Sequence, residues 1–139
     1  MGEGSESNEQ TKREILVLDA ITEKCSSSSP HRILQQMGQA LQADSDNNLS
    51  LKVLSGGVTN FSYKVFVNNR PELCLFAKLC FEFALWNPDK EAHYDLERTA
   101  NEFEIMETFS KLQPENVAKP LYCLDLVSNN QNMKLLITE

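Results

Sequence analysis

Hydrophobic and polar positions change their spacing along these 139 residues, and each change marks an element. Residues 1–11 are small, polar and acidic, the composition of a disordered lead-in. Glu14 to Ala20 is a short apolar run, and Ser26-Ser27-Ser28-Ser29-Pro30 then offers capping side chains and a proline near a helix start. Ile33, Leu34, Met37 and Leu41 recur at helical spacing and predict a helix from His31 to Gln42, broken by Asp44-Ser45-Asp46-Asn47-Asn48. Residues 12–48 therefore read as a helical N-terminal extension.

From Leu49 onward the period is two. Leu49, Leu51 and Val53 predict a first strand, and Phe61, Tyr63, Val65 and Val67 line one face of a second. A turn at Asn68-Asn69-Arg70-Pro71 leads into a third strand, Leu73 to Cys80. Tyr94 to Leu112 follows the polar loop Asn87-Pro88-Asp89-Lys90-Glu91, contains no Gly or Pro and is rich in good helix formers, so it predicts a helix. Lys119 to Val127 and Met133 to Thr138 predict two closing strands joined by Ser128-Asn129-Asn130-Gln131-Asn132. Short links imply antiparallel neighbours. Residues 49–139 thus read as an α+β domain, a five-stranded antiparallel sheet packed on one long helix.

Composition narrows the function classes. A formal net charge of −7, from 13 basic and 20 acidic residues, opposes a general affinity for nucleic acid or anionic membrane, so an anionic ligand would need a local site. No apolar run reaches the roughly 20 residues of a membrane helix. The N-terminus lacks a signal-peptide pattern, and Glu6 stands where a myristoylation start requires Ser or Thr. The expectation is a cytoplasmic protein with no membrane partner. Cys25, Cys74, Cys80 and Cys123 have no paired short spacing, so they read as buried free thiols; a metal site joining Cys74, Cys80, Cys123 and His93 is the minor alternative.

Candidate chemistry lies in three places. Gly56 and Gly57 adjoin each other between the first two strands, where positive φ and missing side chains would let backbone N–H groups approach a ligand; a tight turn alone is the other reading. Alternation places Cys74, Phe76, Lys78 and Cys80 on one face of the third strand and Leu73, Leu75, Ala77 and Leu79 on the other, so both faces read as buried. A buried ammonium at Lys78 would need an anionic partner, unless the side chain snorkels from an edge. At about 100° per residue, Glu102 falls inside the apolar arc of Phe103, Ile105, Met106, Phe109 and Leu112, while Glu104 and Glu107 project towards the polar side. Glu102 is the acid placed to meet Lys78.

Glycine-rich hairpin, third-strand lysine, helix glutamate and two closing strands together resemble the N-terminal lobe of protein-kinase-like enzymes. In detail, Ser55-Gly56-Gly57-Val58-Thr59-Asn60 followed by Tyr63-Lys64-Val65, with Val117-Ala118-Lys119-Pro120-Leu121-Tyr122, resembles the choline/ethanolamine kinase branch of the aminoglycoside phosphotransferase-like small-molecule kinases. The likeness covers Leu49 to Glu139. It implies that Gly56, Gly57, Thr59 and Asn60 lie over the phosphates of ATP, that Lys78 contacts those phosphates and that Glu102 holds Lys78 in place. It also implies that Leu136 to Glu139 run into a hinge where backbone groups receive adenine. A methylthioribose kinase-like relative fits the same pattern.

Kinases of this superfamily draw the catalytic aspartate and the Mg²⁺-binding aspartate from a second, mostly helical lobe. His93-Tyr94-Asp95 has the His-x-Asp spacing but not the context of a catalytic loop, so Asp95 reads as a helix first-turn acid and Asp125 as a strand-end residue. The expectation is the nucleotide-binding half of an ATP- and Mg²⁺-dependent kinase acting on a small alcohol, inactive without a C-terminal lobe. Competing with it are a non-catalytic half-kinase that docks or self-associates through exposed apolar surface, and a plain α+β structural domain.

Overall fold

The computed structural model describes residues 2–56, 60–82, 96–128 and 131–139. Its elements are α1 (Gly2–Lys24), α2 (Arg32–Ala43), β1 (Leu49–Gly56), β2 (Asn60–Val67), β3 (Arg70–Phe81), α3 (Glu97–Leu112), β4 (Pro120–Ser128) and β5 (Gln131–Thr138). This is an α+β chain with five antiparallel strands in the order β1-β2-β3-β5-β4, so β3 is central, β5 lies between β3 and β4, and the chain crosses over through α3. Two compact units divide the chain: residues 1–51 with 65–74, and residues 52–64 with 75–139.

In the first unit α1 begins at Gly2, where composition predicts a disordered lead-in. Helix propagation explains the difference. Val17, Ala20 and Ile21 are buried and anchor the C-terminal half, after which each added residue costs little; the segment before them has no Pro and carries Gln10 and Lys12 bonded to Glu14 and Glu9 along the helix. The chain turns through the serine run, where the Ser29 hydroxyl accepts the His31 amide and the Gln35 side chain donates to the Ser29 carbonyl. Helix α2 buries Leu34, Met37, Gly38 and Ala40, and Gly38 lies directly against the backbone of Cys25 and Ser26. Asn47 donates to the Ala40 carbonyl at 2.9 Å, and Val65, Val67 and Leu73 complete the buried set.

In the second unit the sheet buries Leu75, Ala77 and Leu79 on β3 with Leu135 and Ile137 on β5. The opposite face of β3 is graded: Cys80 is 1% exposed, Lys78 half-buried and Phe76 40% exposed. The two-faced burial read from alternation therefore holds at only one end of the strand. Helix α3 packs on β4 and β5 and covers that end. Register sets Lys78 and Cys123 each opposite Leu136, and Cys80 and Asp125 each opposite Lys134, so one face carries a grid of polar and thiol side chains. The predicted inward Val53 is 41% exposed, because β1 is an edge strand whose second half has no cover.

The long helix also differs from its predicted orientation. Thr99 is its one buried residue, Glu102, Phe103 and Met106 are half-buried, and Ile105, Phe109 and Leu112 are 56%, 51% and 71% exposed. An apolar arc much wider than one contact stripe cannot face the sheet all at once. The Thr99–Phe103–Met106 side packs inward, and Ile105, Phe109 and Leu112 face outward. Tyr94 and Asp95 lie outside the described residues.

Candidate functional site

Alternation on β3 points Lys78 towards α3, and one turn of α3 beyond the buried Thr99 brings Glu102 to meet it. The Lys78 Nζ stands 3.2 Å from Glu102 Oε2 and 3.4 Å from Oε1. The side chains remain 32% and 43% exposed, so the pair is half-open to solvent, where the sequence predicts a fully buried one. Its place at the margin of the helix-covered area is the reason: α3 shields Cys80 completely and Lys78 only in part.

The open side is a cavity of about 290 Å³, near the lower end of the range for small-ligand sites. Leu54 of β1, Ala77 of β3, Met106 of α3 and Leu136 of β5 give it apolar walls, and Lys78 and Glu102 supply its charge. Phe76 and Thr138, which face each other across β3 and β5, line its outer part. An ammonium has three N–H donors, and two oxygens of one carboxylate leave capacity for a third acceptor from the cavity. The arrangement therefore suits a ligand with an apolar, flat portion and an anionic end.

Of the residues singled out by the sequence, Lys78 and Glu102 are brought together. Gly56 ends β1 and Asn60 begins β2, across one hairpin. Gly57 and Thr59 lie outside the described residues. Gly56 itself does not adopt positive φ. Its requirement is steric, since a Cβ there would lie 2.8 Å from Cε1 of Phe61. The backbone amide of Glu139 donates to the Lys119 carbonyl at 2.8 Å, which takes that N–H away from any nucleobase. Glu139 is thus not among the groups lining the cavity.

Other residues near the site were not singled out by sequence. The Thr99 hydroxyl hydrogen-bonds the Cys80 thiol, and burial pushes that thiol's pKa up while the hydrogen bond and the Lys78 charge oppose the shift. Further out on the same face, Lys134 pairs with Asp125, whose carboxylate raises the lysine pKa, so Asp125 is a mid-strand ion-pair partner and not a strand-end residue. Opposite-charge spacing across a predicted hairpin was the signal for that pair. All four cysteines are free, and among the described residues no group of three or more His, Cys, Asp or Glu side chains could hold a metal ion. Among the described residues, no helix is long and apolar enough to cross a membrane. Comparison with known proteins finds no matching family model, no similar curated protein and no similar solved structure.

Proposed function

We propose that this chain is the nucleotide-binding half of an ATP-dependent small-molecule kinase, serving phosphoryl transfer to an alcohol such as choline or ethanolamine. The observation that carries the reading is the Lys78–Glu102 pair at the edge of an apolar-walled cavity. In it a carboxylate from a helix aims an ammonium, and the ammonium retains a donor for a phosphate oxygen. Leu54, Ala77 and Leu136 would hold a base, and Lys78 the phosphates. Bound ATP would supply the transferable phosphoryl group.

The described residues do not fit a Mg²⁺ site, because Glu102 is engaged by Lys78 and no other acidic group joins it. Orientation of the attacking hydroxyl and clamping of the metal are the larger part of phosphoryl transfer, so this unit binds and a catalytic lobe would complete the reaction. A methylthioribose kinase-like acceptor is the alternative within the same class. The reading assigns the chain to the cytoplasm, where ATP is plentiful.

Calorimetric titration with Mg-ATP tests it. Loss of a charge-assisted hydrogen bond costs about 1.5–3 kcal/mol, so Lys78→Met should weaken binding roughly 10- to 150-fold. An unchanged affinity in the variant, or no binding by the wild-type chain, refutes the reading.

One observation favours a second reading, a non-catalytic docking module: Ile105, Phe109 and Leu112 form an outward apolar stripe on α3. On that reading the chain self-associates, and sedimentation as a monomer at high concentration counts against it.

A further inference from the structure

Two aromatic contacts explain why glycine stands at position 56. The ideal Cβ position at Gly56 lies 2.8 Å from Cε1, 2.9 Å from Cδ1 and 3.8 Å from Cζ of Phe61, so the ring fills the volume that any other residue would need. A phenyl ring at a strand end could ordinarily swing aside. Here the half-buried ring is held from one side, because Tyr63 stacks on it with centroids 6.3 Å apart at 18°, and Phe81 meets it edge-on at 5.9 Å and 89°. Tyr63 and Phe81 are each 2% exposed, so neither has room to yield. The ring is wedged between a buried aromatic pair and a bare α-carbon.

The consequence reaches the cavity. Gly56 and Phe61 stand at the facing ends of β1 and β2, the same two strands that supply Leu54 and Ser62 to the cavity holding Lys78. We propose that Phe61 is a positioning residue: its wedged ring fixes how closely the ends of β1 and β2 approach, and so sets the frame in which an anionic ligand reaches Lys78. The proposal rests on the nucleotide-binding reading. It concerns the phosphate end of the ligand, since Lys78 is the cation in that cavity, and it assigns Gly56 a packing role in place of a conformational one.

A double-mutant cycle on the full chain tests this, with Mg-ATP and adenosine as the two probes. Gly56→Ala and Phe61→Val should each weaken Mg-ATP about tenfold and adenosine less than threefold, because Ala77 and Leu136 of the base wall lie on β3 and β5, away from the altered strand ends. Valine ends at Cγ and leaves the space a Cβ needs, so adding Gly56→Ala to Phe61→Val should cost less than a further twofold. Phe61→Tyr keeps the ring and should bind like the wild type. Thermal melts accompany each variant, and if Phe61→Val does not fold, Gly56→Ala at its exposed strand end decides the matter with Phe61→Tyr. Equal losses for adenosine and Mg-ATP mean a structural role only and overturn the proposal. So do additive effects, or variants that bind Mg-ATP as the wild type does. A wild-type chain that binds no Mg-ATP overturns the nucleotide reading first and this inference with it, whereas wild-type binding with indifferent variants overturns this inference alone.

Discussion

If the Lys78–Glu102 pair exists to present an ammonium, removing it should cost almost no stability. The side chains are 32% and 43% exposed, so the attraction acts in partly aqueous surroundings and part of it is lost to screening. Pairs of this kind contribute about 0.2–1 kcal/mol. A structural strut would differ: breaking a fully buried pair by removing one partner costs about 3–5 kcal/mol. Methionine retains most of the lysine stem that packs against the sheet, which makes Lys78→Met the cleaner substitution, with Glu102→Gln for the acid. In urea unfolding the pairwise coupling from the two single variants and the double variant should be below about 1 kcal/mol, and all slopes with denaturant should match the wild type. Raising salt from low to moderate concentration should shrink the coupling further. A coupling above about 2 kcal/mol, insensitive to salt, would show that the pair holds α3 to the sheet, and the functional argument from it would fail.

Gly38→Ala should destabilise the first unit even though alanine favours helix by about 1 kcal/mol, because the new Cβ would lie 2.8 Å from the Ser26 amide nitrogen, 2.9 Å from its Cα and 3.0 Å from the Cys25 carbonyl carbon. Those are backbone atoms that cannot rotate away, and overpacking of about 1–3 kcal/mol outweighs propensity; a melting temperature equal to or above the wild type contradicts this. Alkaline pH should also weaken the fold. Burial raises the Cys25 thiol from 9.0 to about 11 and shifts Cys80 and Cys123 in the same direction, so this stability is complete below pH 9 and is lost as pH climbs towards about 11. Cys25→Ser should flatten part of that decline in melts recorded between pH 8 and about 11.

Element order and antiparallel pairing were legible because alternation and helical spacing are local. The antiparallel partner of Lys78, Leu136, lies 58 residues onward, yet the two strands that carry them were both marked by period and by their bounding turns. Burial was less legible. Ile105, Phe109 and Leu112 are apolar and exposed, since a helix stripe states what could be buried and not what is present to cover it. The same gap explains Phe76 and Val53, whose parity was right and whose cover was not. The Gly-Gly pair shows a different limit: the sequence marks the glycine, but only the Phe61 ring shows that the constraint at Gly56 is a steric one. At α1, composition pointed to disorder because the anchor, Val17 and Ile21, lies beyond the polar segment that the helix extends through.

The Lys78–Glu102 and Cys80–Thr99 contacts both join β3 to α3, and their burial separates their roles. Lys78 meets Glu102 half in solvent, while two residues along the strand Cys80, 1% exposed, meets Thr99, also 1% exposed, three residues earlier on the helix. The contact at Cys80 is therefore sealed and the one at Lys78 is open. A hydrogen bond sealed from water contributes to stability, and a solvated ion pair keeps a donor for a ligand. Thr99→Val preserves shape and removes the hydroxyl that hydrogen-bonds the Cys80 sulfur, so it should destabilise by about 1 kcal/mol with Mg-ATP affinity changed less than threefold. Lys78→Met should do the reverse. Measured side by side by urea unfolding and calorimetric titration, the two variants should therefore separate stability from binding. If Thr99→Val weakens Mg-ATP as much as Lys78→Met does, the two contacts act as one unit and the division of roles is wrong.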